Sequence, residues 1–418
     1  MVKYLIPKMP NLLLATLLYP LLNPKNKRLL KLQLHCSGHI HDNYGIIMHD
    51  VSKRLLTTAI HLRESLTMTD LRTFDPNSVG QKTENIFGLP FTAEEAAITV
   101  IPVPWEVTVS YREGTANGPE AILAASYQVD LYDPDYVDAW RIGLAMEEIP
   151  TELRNLNDEM RPTAEEYIGM LEEGHTPEDH PLMKQMLEKI NASCEKMNEW
   201  VQERAAEQLD RGAIAAVLGG DHSTPLGLIR ELAKRHDSFG ILHIDAHADL
   251  RDAYEGFTYS HASIMFNAIK EPTLTKLVQV GIRDYCEMES DLVASSDGRI
   301  VSFYDRDIKT KMFEGMSWMH ICQEIVSQLP DEVYVSFDID GLDPKLCPNT
   351  GTPVPGGLEY EQALYLVRMV AESGRVIIGF DVNEVAPSSK GEDEWDANVG
   401  ARLLYRLANL TAKSNDQF

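Results

Sequence analysis

Three side chains at alternate positions, Asp245, His247 and Asp249, close the apolar stretch Ile241-Leu242-His243-Ile244. Side chains alternate across a strand, so the three share one face wherever strand geometry persists. Two carboxylates and an imidazole are metal-ligand types. A strand end running into a polar loop supplies the same residues, so this stretch alone leaves metal binding and plain loop polarity equally open. Three other stretches have the same form. Gly219-Gly220-Asp221-His222-Ser223 follows an apolar run over 213–218, Asp338-Ile339-Asp340-Gly341-Leu342-Asp343-Pro344 follows one over 332–337, and Asp381-Val382-Asn383-Glu384 follows one over 376–380. Singly, each has a structural explanation: Gly-Gly-Asp suits a tight turn, Asp221 or Ser223 suits a helix cap, and Asp343-Pro344 suits the start of a loop.

The elements behind these stretches decide whether the four act together. From residue 96 onward, short apolar, β-branched runs alternate with helical patterns, at 96–103, 142–146, 213–218, 239–244, 277–280, 300–303, 332–337 and 376–380. Continuous apolar strands separated by helices predict a three-layer α/β/α fold with a predominantly parallel eight-stranded sheet. In such sheets ligands sit beyond the carboxyl ends of the strands. That edge would then gather two histidines, His222 and His247, and at least four aspartates, Asp245, Asp249, Asp338 and Asp340. Like charges placed together repel unless a cation lies among them. The set exceeds a tetrahedral structural zinc site and suits two divalent ions bridged by carboxylates. At about 3.5–4 Å apart, such a pair holds and positions a hydroxide as nucleophile, which points to hydrolysis.

These residues carry a resemblance. The stretches beginning at Gly219, Asp245 and Ser336 are similar to the three signature motifs of the ureohydrolase family, the arginases, agmatinases and guanidinases, and Gly351-Thr352-Pro353, Gly356-Gly357 and Glu384-Val385-Ala386-Pro387 extend the likeness over about residues 96–410. The resemblance implies an arginase-like fold, with His222, Asp245, Asp249 and Asp338 on one metal and His247, Asp245, Asp338 and Asp340 on the other. It also implies that Asp249 passes a proton to the leaving nitrogen, that His261 shuttles protons, that Glu384 pairs with the guanidinium, and that Asp221 orients a ligand. His243 reads instead as a buried, hydrogen-bonded histidine, and His236 and His320 have no such context. A relative that keeps the fold without catalysis, or a deacetylase-like enzyme, fits less well, because the ligand set is intact and exceeds one metal.

Specificity rests on fewer residues. Arg251 stands where an arginase has asparagine, and Cys286 where it has aspartate, which disfavours arginine. Arg251, unless already paired, opposes a long cationic tail. Together with Thr108 in the loop over 105–111, Thr352, and the aromatics Phe257 and Tyr259, it marks candidate substrate contacts in a narrowed pocket. The whole pattern looks most like the guanidine hydrolases, which implies guanidine converted to urea and ammonia with nickel favoured over manganese. Agmatinase and guanidinobutyrase are the alternatives. The resemblance further implies a small cationic substrate, trimers or hexamers, and a metallochaperone for a nickel enzyme.

Composition sets outer limits. The 418 residues carry a net charge of −26, which argues against nucleic-acid partners and accords with a cationic substrate. Residues 1–67 depart from this, with nine Lys and Arg against three Asp and Glu and with His35, His39, His41 and His49 close together. Residues 9–22 resemble a signal-peptide core but include Pro20 and run into Lys25-Asn26-Lys27-Arg28. They read as part of a basic extension ahead of a catalytic domain over 68–418. An acidic helical insertion is expected at about 150–211. Five scattered cysteines without a Cys-x-x-Cys pair fit a reducing cytoplasm. No membrane partner is expected.

Overall fold

The computed structural model describes residues 71–416 apart from positions 84, 389, 390 and 392. The basic segment expected over 1–67 lies outside the described residues. Among those described, eight strands form one sheet: β1 (Ile98–Val103), β2 (Leu144–Met146), β3 (Ile214–Gly219), β4 (Phe239–Ile244), β5 (Leu274–Ile282), β6 (Ile300–Tyr304), β7 (Glu332–Asp338) and β8 (Val376–Asn383). Every pairing is parallel, so the sheet is wholly rather than predominantly parallel. Parallel neighbours need long crossovers, and helices supply them. They are α1 (Gly118–Ser126), α2 (Thr151–Glu172), α3 (Pro181–Asp210), α4 (Leu226–Arg235), α5 (Ile264–Ala268), α6 (Glu287–Ser295), α7 (Asp305–Phe313), α8 (Trp318–Ser327), α9 (Tyr360–Glu372) and α10 (Trp395–Ser414).

Period-two alternation along the strands divides the interior into two cores. Leu242, Ile244, Val335 and Phe337 pack with Ile122 of α1, Ile321 of α8, Leu364 of α9 and Leu404 of α10. Ile241, Val217 and Tyr334 point the other way, toward Met160 of α2, Ile190 of α3, Leu228 of α4 and Met265 of α5. Burial on both faces explains why the strands read as unbroken apolar runs.

The strand order is β2-β1-β3-β8-β7-β4-β5-β6. β3 and β4 are consecutive in sequence yet are separated by β8 and β7, the last two strands among the described residues. Such a switch in direction opens a crevice at the carboxyl edge, where ligands bind in open α/β sheets. The four central strands are the four that end in polar motifs.

The loops beyond those strands are fastened to one another. Gly220 N donates to Val103 O at 3.0 Å and Asp221 N to Trp105 O at 2.8 Å, zipping the loop after β3 to the loop after β1. A Cβ on Gly220 would lie 1.9 Å from Trp105 O, which is backbone and cannot swing aside. Gly220→Ala is therefore expected to cost about 1–3 kcal/mol by overpacking, read as a lower denaturant midpoint. A midpoint equal to the parent's would show that the two loops are not held together.

Candidate metal centre

Each strand delivers its polar side chains to the same point. His222, one turn beyond β3, directs Nδ1 at Asp245 Oδ2 (3.0 Å), Asp249 Oδ2 (3.2 Å) and Asp338 Oδ2 (3.3 Å). His247 Nδ1 lies 3.1 Å from Asp340 Oδ2 and 3.5 Å from Asp245 Oδ1. All six are buried except His247, which is 24% exposed. The structure thus brings together every residue expected to ligate. His222, His243, Asp245 and Asp249 form one group able to hold a cation, and Asp245, His247 and Asp340 form another, with Asp245 common to both.

Backbone contacts hold these side chains in place. His247 N donates to Asp245 Oδ1 (2.6 Å), Ala246 N to Asp340 Oδ1 (3.1 Å) and Asp340 N to Asp338 Oδ1 (2.8 Å). Asp249 and Glu384 both have left-handed backbones, φ 55 and 63, which non-glycine residues adopt only when their surroundings impose it. Those surroundings are visible. Asp249 O accepts from Met265 N and Phe266 N at the start of α5; Glu384 N donates to Gly220 O, and Thr350 Oγ1 donates to Glu384 O. Glu384 Oε1 accepts from His222 N at 2.8 Å, and its Oε2 stands beside Gly351, where a Cβ would come within 3.2 Å.

Electrostatics state the same arrangement in protons. Burial alone would lower His222 and His247, but Asp245, Asp249 and Asp338 around the first, and Asp340 and Asp245 around the second, hold both well above the usual histidine value. Asp245 resists burial because His243, His222 and His247 surround it, and it lies well below the carboxylate range. Asp338 is pushed well up by burial and by Asp340 and Asp245, Glu384 well up by burial and by Asp221, and Asp249 up to about 6 by burial and by Asp245. The cluster therefore holds more buried carboxylate than its imidazoles neutralise. Divalent cations answer that excess, so the donor set fits the two ions expected.

Beneath the cluster runs a polar strip on one face of the sheet. Ser302 Oγ donates to Gln279 Oε1 (2.8 Å), and Gln279 Nε2 lies 3.0 Å from His243 Nδ1 and 2.6 Å from Ala248 O. His243 Nε2 lies 2.8 Å from Asp245 Oδ2. On the far side His222 Nε2 meets Ser336 Oγ (2.9 Å), which donates to Asp381 Oδ1 (3.1 Å). With Gln279 donating to Nδ1, His243 presents its Nε2 proton to Asp245. His243 is thus the buried, hydrogen-bonded histidine expected, although it also stands within the ligand group. Gln279 and Ser302 were not singled out in the sequence, because an isolated polar residue in an apolar strand gives no sign of what lies across the sheet.

The remaining expected residues fall into place unevenly. Asp221 Oδ1 accepts from Ser223 N and Oγ, and burial raises its carboxyl to about 7. His261 is half-buried with its ring edge-on to Tyr254 at 6.1 Å; desolvation and the charges of His247 and His222 push it down to about 3, so it is neutral at pH 7. Thr352 Oγ1 donates to Asp340 Oδ2 at 3.4 Å. Thr108 is buried, with no hydrogen-bond partner for Oγ1 among the described residues. Arg251 is already engaged, its Nε 3.9 Å from Glu289 and its guanidinium over the Tyr254 ring at 5.0 Å. Phe257 corrects the sequence reading: it is wholly buried against Tyr167 of α2, centroids 5.3 Å apart, and is core rather than pocket wall. Cys286 caps α6 together with Glu289, which also accepts from Leu250 N at 2.9 Å. His236 pairs with Glu332 at 2.7 Å, at the opposite edge of the sheet.

Comparison with known proteins accords with this geometry. A model of the arginase family matches residues 96–409. The chain is 32% identical over 317 residues to N(1)-aminopropylagmatine ureohydrolase of Thermus thermophilus, covering 76% of this chain and 91% of the relative. It is 29% identical to agmatinase of Neisseria meningitidis, covering 75% and 87%. In fold it is similar to the agmatine ureohydrolase of Thermoplasma volcanium, with a TM-score of 0.60, 22% identity, and coverage of 83% of this chain and 98% of that one.

Two outcomes are expected of the cluster. Gln279→Leu removes the donor that sets His243 and should weaken metal affinity about 10–100-fold, measured by competition with a chelating dye, while the chain stays folded; unchanged affinity would remove the polar strip from the account. The second concerns the chelated protein, in which Asp221, Asp338, Glu384, His222 and His247 keep protons that the unfolded chain has released. Groups with raised folded values lose their stabilising effect as pH climbs through those values. His261, with a lowered value, acts oppositely only up to about pH 6.5, and Asp245 only below about pH 4. The melting temperature of chelated protein should therefore fall from about pH 7 to about pH 9, and added manganese should flatten that slope. A melting temperature that rises over this range would contradict the electrostatic picture.

Proposed function

The chain belongs to the arginase family, and from that premise we propose that the carboxyl-edge cluster hydrolyses a guanidino compound carrying an amine-bearing alkyl tail, of the agmatine kind. At the coarser level the chain is a metal-dependent ureohydrolase. Water adds to the guanidino carbon, the bond from that carbon to the substituted nitrogen breaks, and urea and the amine depart. One observation carries the proposal: two cation-sized groups of His and Asp share Asp245, with Glu384 next to His222.

In this reading His222, Asp245, Asp249 and Asp338 hold one ion, and His247, Asp245, Asp338 and Asp340 hold the other. Bound divalent ions supply the Lewis acidity that makes water nucleophilic at neutral pH. The protein supplies the rest. Glu384 meets the planar N–H donors of the guanidinium with Oε2, since Oε1 is committed to His222 N. Asp249, fixed by its imposed backbone, takes a proton and gives it to the leaving nitrogen. In this reading His261 exchanges protons with solvent; the charges of His247 and His222, which add to burial in holding it down, would be lost once both are neutral ligands. Nickel and manganese both suit the ligands, and the proposal keeps nickel first. It includes trimers or hexamers, a metallochaperone for a nickel enzyme, and a basic extension at 1–67 ahead of a catalytic domain over 68–418.

Three features favour an alkyl tail. The relatives bear the names aminopropylagmatine ureohydrolase and agmatinase, Arg251 is paired and stacked rather than facing a tail, and Phe257 belongs to the core. Free guanidine remains a second reading on a separate observation: residues 105–109, the loop expected to meet the substrate through Thr108, are all buried. Urea release by protein reconstituted separately with nickel and manganese decides between them. Agmatine is expected to exceed guanidine by at least about tenfold in kcat/KM, the equivalent of roughly 1.4 kcal/mol of transition-state binding. The reverse order would put guanidine first, and no urea from agmatine, guanidinobutyrate, arginine or guanidine would overturn the catalytic reading.

A further inference from the structure

α2 and α3, inserted between β2 and β3, contribute no expected ligand, yet both reach the loops that border the metal centre. α2 grips the loop after β1. Arg161 Nη1 donates to Val107 O at 3.3 Å and to Val109 O, the two carbonyls flanking Thr108, while Asn157 Oδ1 accepts from Glu106 N at 2.8 Å. The Arg161 side chain is 14% exposed and pairs one turn onward with Glu165 at 3.1 Å, so its guanidinium is fixed from both sides. α3 grips the loop between Asp249 and His261. Asn191 Nδ2 donates to Gly256 O at 3.2 Å and Asn191 Oδ1 accepts from Thr258 N at 2.9 Å, as a neighbouring strand would. Between those two bonds Phe257 is locked against Tyr167 of α2. Gly256 is left-handed, φ 84, and a Cβ there would stand 3.0 Å from Tyr167 Oη. Three residues after Thr258 the same loop presents His261.

We propose that Arg161 and Asn191 are positioning residues, through which the two inserted helices set the separation of the Thr108 loop and the His261 loop across the substrate site. The inference rests on the reading that these two loops serve the substrate. Its physical basis is that each contact fastens backbone rather than a rotatable side chain. A guanidinium bridging two carbonyls makes charge-assisted bonds, and its loss leaves buried acceptors without a partner. A loop displaced by about 1 Å costs catalysis up to about 100-fold, while metal ligation stays intact because Asp249 at the head of the His261 loop is held separately, by Met265 N and Phe266 N of α5.

The test uses the full chain loaded with metal, in the variants Arg161→Gln, Arg161→Lys, Asn191→Ala and Asn191→Asp. Elemental analysis should find the parent's metal content in all four. Asn191→Ala should lower kcat about tenfold with KM little changed, because His261 is displaced, and Asn191→Asp, which keeps the acceptor for Thr258 N, should recover part of it. Arg161→Gln should raise KM about tenfold and change the ratio of kcat/KM between agmatine and guanidine; Arg161→Lys should not restore that ratio, since one ammonium does not reproduce the guanidinium fork. Hydrogen exchange supplies a readout independent of activity. Asn191→Ala should hasten exchange at amides 254–261 and leave 105–111 alone, and Arg161→Gln should do the converse. Kinetic constants per metal-loaded chain equal to the parent's, or exchange accelerated alike in both loops, would overturn the inference. A parent that releases no urea would instead overturn the proposed function, and the exchange pattern would still judge the clamp.

Discussion

Mutual repulsion among buried carboxylates governs this molecule. Asp245, Asp249, Asp338 and Asp340 come from two strands that are neighbours in the sheet, and Asp221 and Glu384 add two more buried acids, Glu384 feeling the charges of Asp221 and Asp340. Nothing in the local sequence makes such a gathering favourable. The apolar runs preceding each motif supply the driving force, since burial on both faces of a parallel sheet fixes strand register and therefore fixes where each strand ends. The hydrophobic cores hold the acids together against their repulsion, and cations or protons lower the electrostatic cost.

The rest of the architecture aims these groups. Strand alternation places apolar residues toward both helical layers except along one line, where Gln279, His243, Ser336 and Asp381 replace them under the cluster. The cost of burying a polar line of this kind is reduced because each member is hydrogen-bonded to a polar neighbour. Around the rim, strained backbones at Asp249 and Glu384 are held by bonds from α5, Gly220 and Thr350, so local strain is offset by contacts with separate elements.

What could be read from the sequence follows the range over which each feature is decided. The strands and the convergence of the six residues expected to ligate were legible because each motif is continuous: an apolar run declares the strand, and the polar residues immediately after it declare what the strand presents. Specificity was not legible in the same way. Whether Phe257 lines a pocket or joins a core depends on Tyr167, ninety positions earlier on α2, and whether Arg251 repels a tail depends on Glu289, on α6. The roles of Arg161 and Asn191 were hidden for the same reason. A charged or amide residue on an acidic helix reads as solvated surface until the loop it meets is known.

The strand order also carries a temporal consequence. His222 and Asp245 lie at the ends of strands that are made one after the other, but β7 and β8, which stand between them in the sheet, are synthesised after both. During translation at about 5–20 residues per second, the first two acidic motifs wait several seconds for the strands that complete their sheet. In that interval there is no crevice, and no set of donors competent to hold a pair of ions. Metal capture is in this sense a late event in the life of each chain, and an ion that finds the protein must find it after the polypeptide has closed its own sheet.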